Sequence, residues 1–294
     1  MKFGAWMAQR ERTMDIVEFA RVVEDCGFES VWQGEHSHRP ASDEERAHLR
    51  AGKLHDYAYF WEQWSVLGAW SAVTSRVKLG SAITLIMQRD PIWLAKQIAT
   101  VDQLSGGRLM VGIGGGHPTE PYAAEMRNHG TQPGDRYRIL RERVLAMREI
   151  WTKEEAEFHG EFVDFGPIWA WPKPVQQPHP PIFFGSNGRT PASWARTLQR
   201  LLEFCDGWMV PSMEPRLDAK IAELQGKAHD LGRARLEVTL FGVGPTQVLD
   251  DEAVERYHAA GVDRIIFTLP PSTAETAIPE LQRVGRLAAR YEKS

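Results

Sequence analysis

Apolar positions fall along this chain in two alternating rhythms. Short apolar runs read as parallel strands buried on both faces. They are Phe3–Trp6, Ser30–Gln33, Val77–Ile83, Leu109–Ile113, Pro181–Phe184, Gly207–Pro211, Val238–Val243 and Arg264–Leu269. Between them lie longer segments of helical pattern: Met14–Cys26, Trp61–Thr74, Trp93–Leu104, Arg136–Trp151, Ala192–Phe204, Arg216–Leu231, Asp251–Ala260 and Glu275–Tyr291. Thr13 is the expected cap of the first helix, with Asp15 and Glu18 near its positive end. Gly27, Gly232 and Gly261 stand where a left-handed residue ends a helix, and Gly106-Gly107 closes the third. Strand and helix alternate from end to end, eight of each. That count predicts one α/β domain over residues 1–294, a (β/α)8 TIM barrel; an open doubly wound sheet is the alternative.

Two segments exceed ordinary loop length. Gly34 to Tyr59 follows the second strand, so it emerges at the C-terminal mouth, where barrel enzymes carry their active sites. It is rich in His, Arg and acidic residues and is expected to form a wall or lid. Lys153 to Pro180 precedes the fifth strand, which assigns it to the opposite face. Its FHGEFVDFG stretch reads as a small hairpin turning at His159-Gly160, and PKPVQQPHPP as an extended, proline-stiffened strap. A structural role is expected there.

Composition narrows the class. The 294 residues carry 43% hydrophobic and 25% charged positions, ordinary for a globular protein. A net charge of −4 gives no reason to expect a nucleic-acid partner. No apolar run approaches the roughly 20 residues of a membrane span, and the N-terminal stretch lacks a signal-peptide core. The two cysteines, Cys26 and Cys205, make no disulfide framework, which fits a reducing cytoplasm. The 11 tryptophans, several in predicted loops, hint at an apolar pocket for a flat ligand.

Candidate chemistry gathers just past strand ends. The second strand runs into Glu35-His36, a carboxylate and an imidazole able to give or take a proton near neutral pH. The same pair also suits a solvated loop. The fourth strand ends in Gly112-Ile113-Gly114-Gly115-Gly116-His117. Glycines there let the backbone approach a flat ring or a phosphate, or simply make a tight turn. His117 stands where a dinucleotide fingerprint needs its last glycine, so a Rossmann site is not supported. The fifth strand ends in Gly185-Ser186-Asn187-Gly188-Arg189-Thr190-Pro191 before a helix. Small residues opening a helix suit an anion, with Ser186 and Arg189 adding side-chain donors; they equally suit plain N-capping. Glu35, His36 and His38, with His117 across the mouth, have the types for zinc, but no second spaced pair supports a metal.

The stretch Pro91–Gly116, PIWLAKQIATVDQLSGGRLMVGIGGG, resembles the hallmark segment of the bacterial luciferase-like superfamily, particularly its F420-dependent oxidoreductases. GFESVWQGEH, RVKLGSAIT, FHGEFVDFGP, PPIFFGSNG, CDGWMVPS and GVDRIIFTLP follow the family order, so the resemblance covers nearly the whole chain. It implies a barrel, usually a homodimer, holding an isoalloxazine-type ring at its mouth. A backbone bulge with a non-proline cis peptide would back the ring at Ser81-Ala82-Ile83, at the Ala82–Ile83 bond. Gly185, Ser186, Asn187 and Gly188 would take the cofactor phosphate.

F420 members often end the second strand in Asp-His; here it is Glu35-His36. Sugar-phosphate dehydrogenases of the family carry an acid after the fourth strand and a tryptophan after Asp-His, where this chain has His117 and Pro40. That departure argues against a sugar-phosphate substrate. The expectation is therefore hydride transfer between coenzyme F420 and a small organic substrate, with catalytic His36 stabilising or protonating charge beside the ring, Glu35 anchoring or tuning it, His117 as a second acid–base group and the cofactor carrying the hard chemistry. The alternatives are an FMN-dependent monooxygenase fed reduced flavin by a partner reductase and using O2, and a non-catalytic flavin-binding protein. Trp6, Trp61 and Trp208 are candidate pocket walls, equally suited to packing.

Overall fold

The computed structural model describes residues 1–10, 13–53, 56–244 and 249–291. In chain order the elements are β1 (Lys2–Met7), α1 (Ile16–Asp25), β2 (Ser30–Gln33), α2 (Asp43–Arg50), α3 (Gln63–Val73), β3 (Lys78–Thr84), α4 (Pro91–Ser105), β4 (Leu109–Gly114), α5 (Tyr122–Asn128) and α6 (Arg136–Thr152). Then come β5 (Glu155–His159), β6 (Asp164–Trp169), β7 (Ile182–Gly185), α7 (Pro191–Phe204), β8 (Gly207–Pro211), α8 (Leu217–Asp230), β9 (Glu237–Val243), α9 (Asp251–Ala259), β10 (Arg264–Leu269) and α10 (Ala274–Ala288). Eight parallel strands close into a barrel in the order β1-β10-β9-β8-β7-β4-β3-β2, while β5 and β6 pair antiparallel outside it. The closed barrel, and not the open sheet, is the fold.

The eight expected strands all form in the barrel. Their apolar runs follow from burial on both faces, outward against the helices and inward against the barrel core. That interior is apolar: Trp32, Phe183, Met110, Met209 and Ile266 form one buried cluster. Gly4 and Gly80 make room for the Trp32 indole, since a Cβ at either would overlap its ring. Below Trp32 and Phe183 the N-terminal floor is closed by Arg264, fully buried, which donates to Glu29 at 2.8 Å through Nε and through Nη2 and pairs with Glu237. Burial pushes the Glu29 carboxyl up, but the hydrogen bonds and charge of Arg264, helped by Lys78, hold it down at about 2.

Several expectations shift. The first helix is capped by Asp15, not Thr13: the Asp15 carboxylate accepts from the N–H of Val17 and of Glu18 at 2.9 Å. The helix ends expected at Gly27, Gly106-Gly107, Gly232 and Gly261 all have positive φ. The segment Gly34–Tyr59 is not plain loop but contains α2, capped by Ser42; residues 54–55 of it lie outside the described residues. The connection after β4 holds α5, a helix too short for a periodic pattern to reveal. The insertion before β7 is the expected hairpin. Its strap is anchored at the N-terminal face, where Gln176 binds the Asp102 carboxylate and the carbonyl of Leu109. The hairpin itself lies back along α6: Glu142 accepts from the backbone of Phe162 and Val163, and Arg138, in the first turn of α6, pairs with Glu161. No helix among the described residues is long and apolar enough to cross a membrane.

Candidate active site

A cavity of about 680 Å³ opens at the C-terminal mouth, within the usual size of small-molecule sites. Glu35, His36, Ala82, Ile83, Gly115, Gly116, His117, Gly185, Ser186 and Asn187 all line it. Ten of the thirteen expected site residues thus converge there from four different strands. The other three support its walls. The Ser81 hydroxyl, fully buried, donates to the Gly112 carbonyl at 2.9 Å and ties β3 to β4. Gly114 gives its space to the Ile83 side chain, which a Cβ would overlap. The Gly188 N–H donates to the buried Glu214 carboxylate at 3.1 Å, so it is not free for an anion.

The wall after β3 has the expected form. The β3–β4 register shifts between Ser81 and Thr84, and the Ala82–Ile83 peptide is cis. Ile83 projects over the ends of β4 and β7, where Gly114 and Gly185 leave it room. This builds a raised apolar ledge at the edge of the cavity.

Glu35 and His36 leave β2 side by side and find different partners. Glu35, 8% exposed in its side chain, accepts from the Leu85 N–H at 2.6 Å and from Arg89 Nε at 2.5 Å. Arg89 reaches on to Glu62 at 2.7 Å. Burial opposes the Arg89 charge, yet these two carboxylates raise its pKa above the ordinary value. His36 instead places Nδ1 2.6 Å from Glu125 Oε2, on α5. Its ring stacks on Tyr57, with centroids 4.1 Å apart and planes 13° apart. The other Glu125 oxygen accepts from the Ser37 N–H at 2.8 Å and the Ser37 hydroxyl at 3.1 Å. Burial pushes the Glu125 carboxyl up, but His36 and the Ser37 donors bring it below its usual value.

Around this pair the lid and α5 interlock. Ser37 also meets His129 Nε2 at 2.7 Å, and Asn128 meets His38 Nε2 at 2.9 Å. Burial and the neighbouring His38 lower the pKa of His129. His117 binds the Thr119 hydroxyl at 2.7 Å and turns its ring edge to Tyr122. Despite these histidines, no group of three ligand-type residues among the described ones is arranged for a metal.

The rest of the cavity has two characters. Near His36 it is aromatic: Trp6 meets Phe60 and Phe241 edge-on, and Tyr57 meets Phe60. Of the three tryptophans expected at the wall only Trp6 lines it; Trp61 is 60% exposed, and Trp208 is buried against Trp194 with its indole N–H on the Ser186 carbonyl. Beside the β7–α7 loop the cavity is basic. Arg136 opens α6, and Arg196 and Arg200 stand one turn apart on α7. The guanidinium carbons of Arg200 and Arg136 lie 3.9 and 4.5 Å from the Tyr137 ring centroid. Burial, with the charges of Arg196 and Arg136, lowers the Arg200 pKa against the opposite pull of Tyr137.

Sequence reasoning missed Glu125, Tyr122 and the arginines. These groups arrive on helices, away from the strand ends that an apolar run marks. The one available signal was the i, i+4 spacing of Arg196 and Arg200 behind the small-residue loop.

With this geometry the chain can be placed. It belongs to the luciferase-like monooxygenase family, whose pattern matches residues 1–293. It is 37% identical over 290 residues to an uncharacterised protein of Mycobacterium tuberculosis, covering 97% of this chain and 98% of that one. It is 33% identical over 161 residues to an FMNH2-dependent dimethylsulfone monooxygenase of Pseudomonas putida, covering 54% of this chain and 43% of the other. Among solved structures, an F420-dependent secondary alcohol dehydrogenase bound to an F420-acetone adduct superposes with a TM-score of 0.75 at 20% identity, over 97% of each chain. The last comparison speaks for the fold. Named oxidoreductases of similar sequence use F420 or reduced flavin, the former including an F420-dependent glucose-6-phosphate dehydrogenase of Amycolatopsis mediterranei that is 29% identical over 182 residues, 62% of this chain and 50% of the other.

Proposed function

We propose that this protein is an F420-dependent oxidoreductase acting on a small organic substrate at the mouth cavity. The observation that carries the reading is the placement of His36. A proton-transfer group held by a buried carboxylate stands at the end of β2, on an aromatic cavity whose opposite part is basic. The cavity fits a tricyclic ring with an anionic side chain. The Ile83 ledge suits a flat ring, with Gly115 and Gly116 on the cavity wall beside it. Arg136, whose buried Nε has no partner, and Arg200 suit an anionic tail.

When bound, the deazaflavin would supply the hydride acceptor or donor. The chain's own residues do the rest. His36 gives or takes the proton at the substrate oxygen through Nε2. Trp6, Phe60 and Phe241 exclude water and orient an apolar substrate body. Glu35 holds the end of β2 against the loop after β3 and does not itself reach the proton. His117, just past the end of β4 and one strand removed from β2, is the second acid–base group. A His36→Ala variant should bind cofactor normally and lose turnover by 10²–10⁴-fold, the usual worth of a general acid–base group; turnover at the wild-type rate would end this role.

The dimethylsulfone monooxygenase similarity supports a second reading, an FMN-dependent monooxygenase. Titrating F420 and FMN side by side into the apo-protein separates the two. Micromolar or tighter F420 binding with much weaker FMN binding is the expected result. The reverse order, with oxygen-dependent product from reduced FMN, would favour the monooxygenase.

A further inference from the structure

We infer that Glu125 is a positioning residue: it fixes His36 in the tautomer that carries its proton on Nδ1 and leaves Nε2 unprotonated on the cavity side. The inference rests on the proposed role of His36 for its functional meaning, but its geometry stands alone. Glu125 is 2% exposed and both its oxygens are committed, Oε2 to His36 Nδ1 at 2.6 Å and Oε1 to the Ser37 N–H and hydroxyl. Ser37 donates to Oε1 from backbone and side chain, which marks that oxygen as an acceptor and turns Oε2 toward the imidazole. A carboxylate so held has no proton of its own to offer, so the hydrogen on the short Nδ1 contact belongs to the ring. The Tyr57 stack fixes the plane of the imidazole, and the Glu125 contact fixes which nitrogen faces the carboxylate. Nε2 has no hydrogen-bond partner among the described residues, while the ring lines the cavity. The resting His36 is thereby set as a proton acceptor toward the cavity. In an unconstrained neutral histidine side chain the opposite tautomer predominates, so the arrangement is one the protein must impose. A carboxylate from a short helix that arrives 89 residues later in the chain imposes it.

Long-range 1H–15N correlation spectra of protein with 15N-labelled histidine read the tautomer directly, without cofactor or substrate. They would be recorded at about pH 8.5, above the ordinary imidazole range, with His36 assigned from a His36→Asn variant. The expected wild-type result is a single His36 tautomer with an unprotonated Nε2. In Glu125→Gln, which keeps the size but loses the charge, His36 should become a mixture or move to the Nε2–H form, with the other histidine signals in place. Glu125→Asp should keep the wild-type tautomer in part. A wild-type His36 already protonated at Nε2 would overturn the inference, and this arm needs no variant to fold. So would a Glu125→Gln protein with the tautomer unchanged. Failure to bind F420 or FMN, measured on the same wild-type sample, would count against the proposed function and leave the tautomer result standing.

Discussion

Glu35 and Arg89 form an ion pair that turns Glu35 away from its chain neighbour His36, whose carboxylate is instead Glu125. Adjacent residues on a loop diverge, so a sequence Glu-His pair need not be a chemical one. Here the first acid is a clamp between β2 and the loop after β3, and the second, from α5, attends the histidine.

The clamp has a measurable cost. Glu35→Ala leaves the Leu85 N–H without its acceptor and Arg89, 21% exposed in its side chain, with Glu62 as its one carboxylate among the described residues and a long contact to Gln97. Removing one partner of a pair this buried should destabilise the fold by about 3 kcal/mol in urea unfolding. A loss below about 0.5 kcal/mol, the scale of ordinary surface changes, would show that the pair does not hold the mouth together.

Acid stability should depend on the barrel floor. The Glu29 pKa is lowered from 4.5 to about 2 in the folded protein. Its contribution is complete above 4.5, erodes as pH falls toward 2, and is gone below that, because the unfolded chain binds the proton first. The depression is worth on the order of 3 kcal/mol. Unfolding free energy followed between those two pH values should fall more steeply for wild type than for Glu29→Gln. Equal slopes would remove Glu29 as the source.

The floor also shows what a sequence conceals. All eight barrel strands were legible, because burial on both faces leaves unbroken apolar runs such as Leu109–Ile113. Arg264 at the head of such a run gave no hint that it was a buried plug, since its partners Glu29 and Glu237 are 235 and 27 residues away. The site divided likewise. Residues that strands deliver to the mouth, such as His36, Ile83 and Ser186, could be placed by counting strand ends. Glu125 and the three arginines come from helices, and only closure of the barrel brings them to the cavity. The resemblance supplied the Ala82–Ile83 cis bond, which no local pattern specified.

The Ile83 ledge should be sensitive to a single methyl group. Gly114 and Gly185 lie beneath it; a Cβ at 185 would come within 2.8 Å of Ile83 Cγ2, and one at 114 would overlap Cδ1. Gly114→Ala should cost about 1–3 kcal/mol in stability, the range for overpacking, and push Ile83 into the space proposed for the ring. Cofactor affinity should therefore fall at least tenfold, while Gly114→Ala/Ile83→Ala together recover stability. Unchanged affinity in the single variant would detach the ledge from ring binding.

The basic part of the cavity makes the most specific prediction about what enters. Arg136 and Arg200 face one ring, Tyr137, with Arg196 close enough to depress the Arg200 pKa. Like charges gathered in a partly buried place repel one another, and an anionic ligand relieves that repulsion while taking their hydrogen bonds. FMN and riboflavin share a ring and differ by a phosphate, so their affinity ratio isolates this contribution whichever cofactor is native. Hydrogen bonds to a charged group are worth about 1.5–3 kcal/mol, so wild type should prefer FMN by roughly ten- to a hundredfold at low salt, the ratio shrinking as salt rises. Arg200→Ala should abolish most of the preference and leave riboflavin binding nearly unchanged; Arg200→Lys should keep part of it. If wild type binds the two flavins equally, the arginines serve another anion, such as an acidic group on the substrate, and the cofactor's tail must leave the cavity elsewhere.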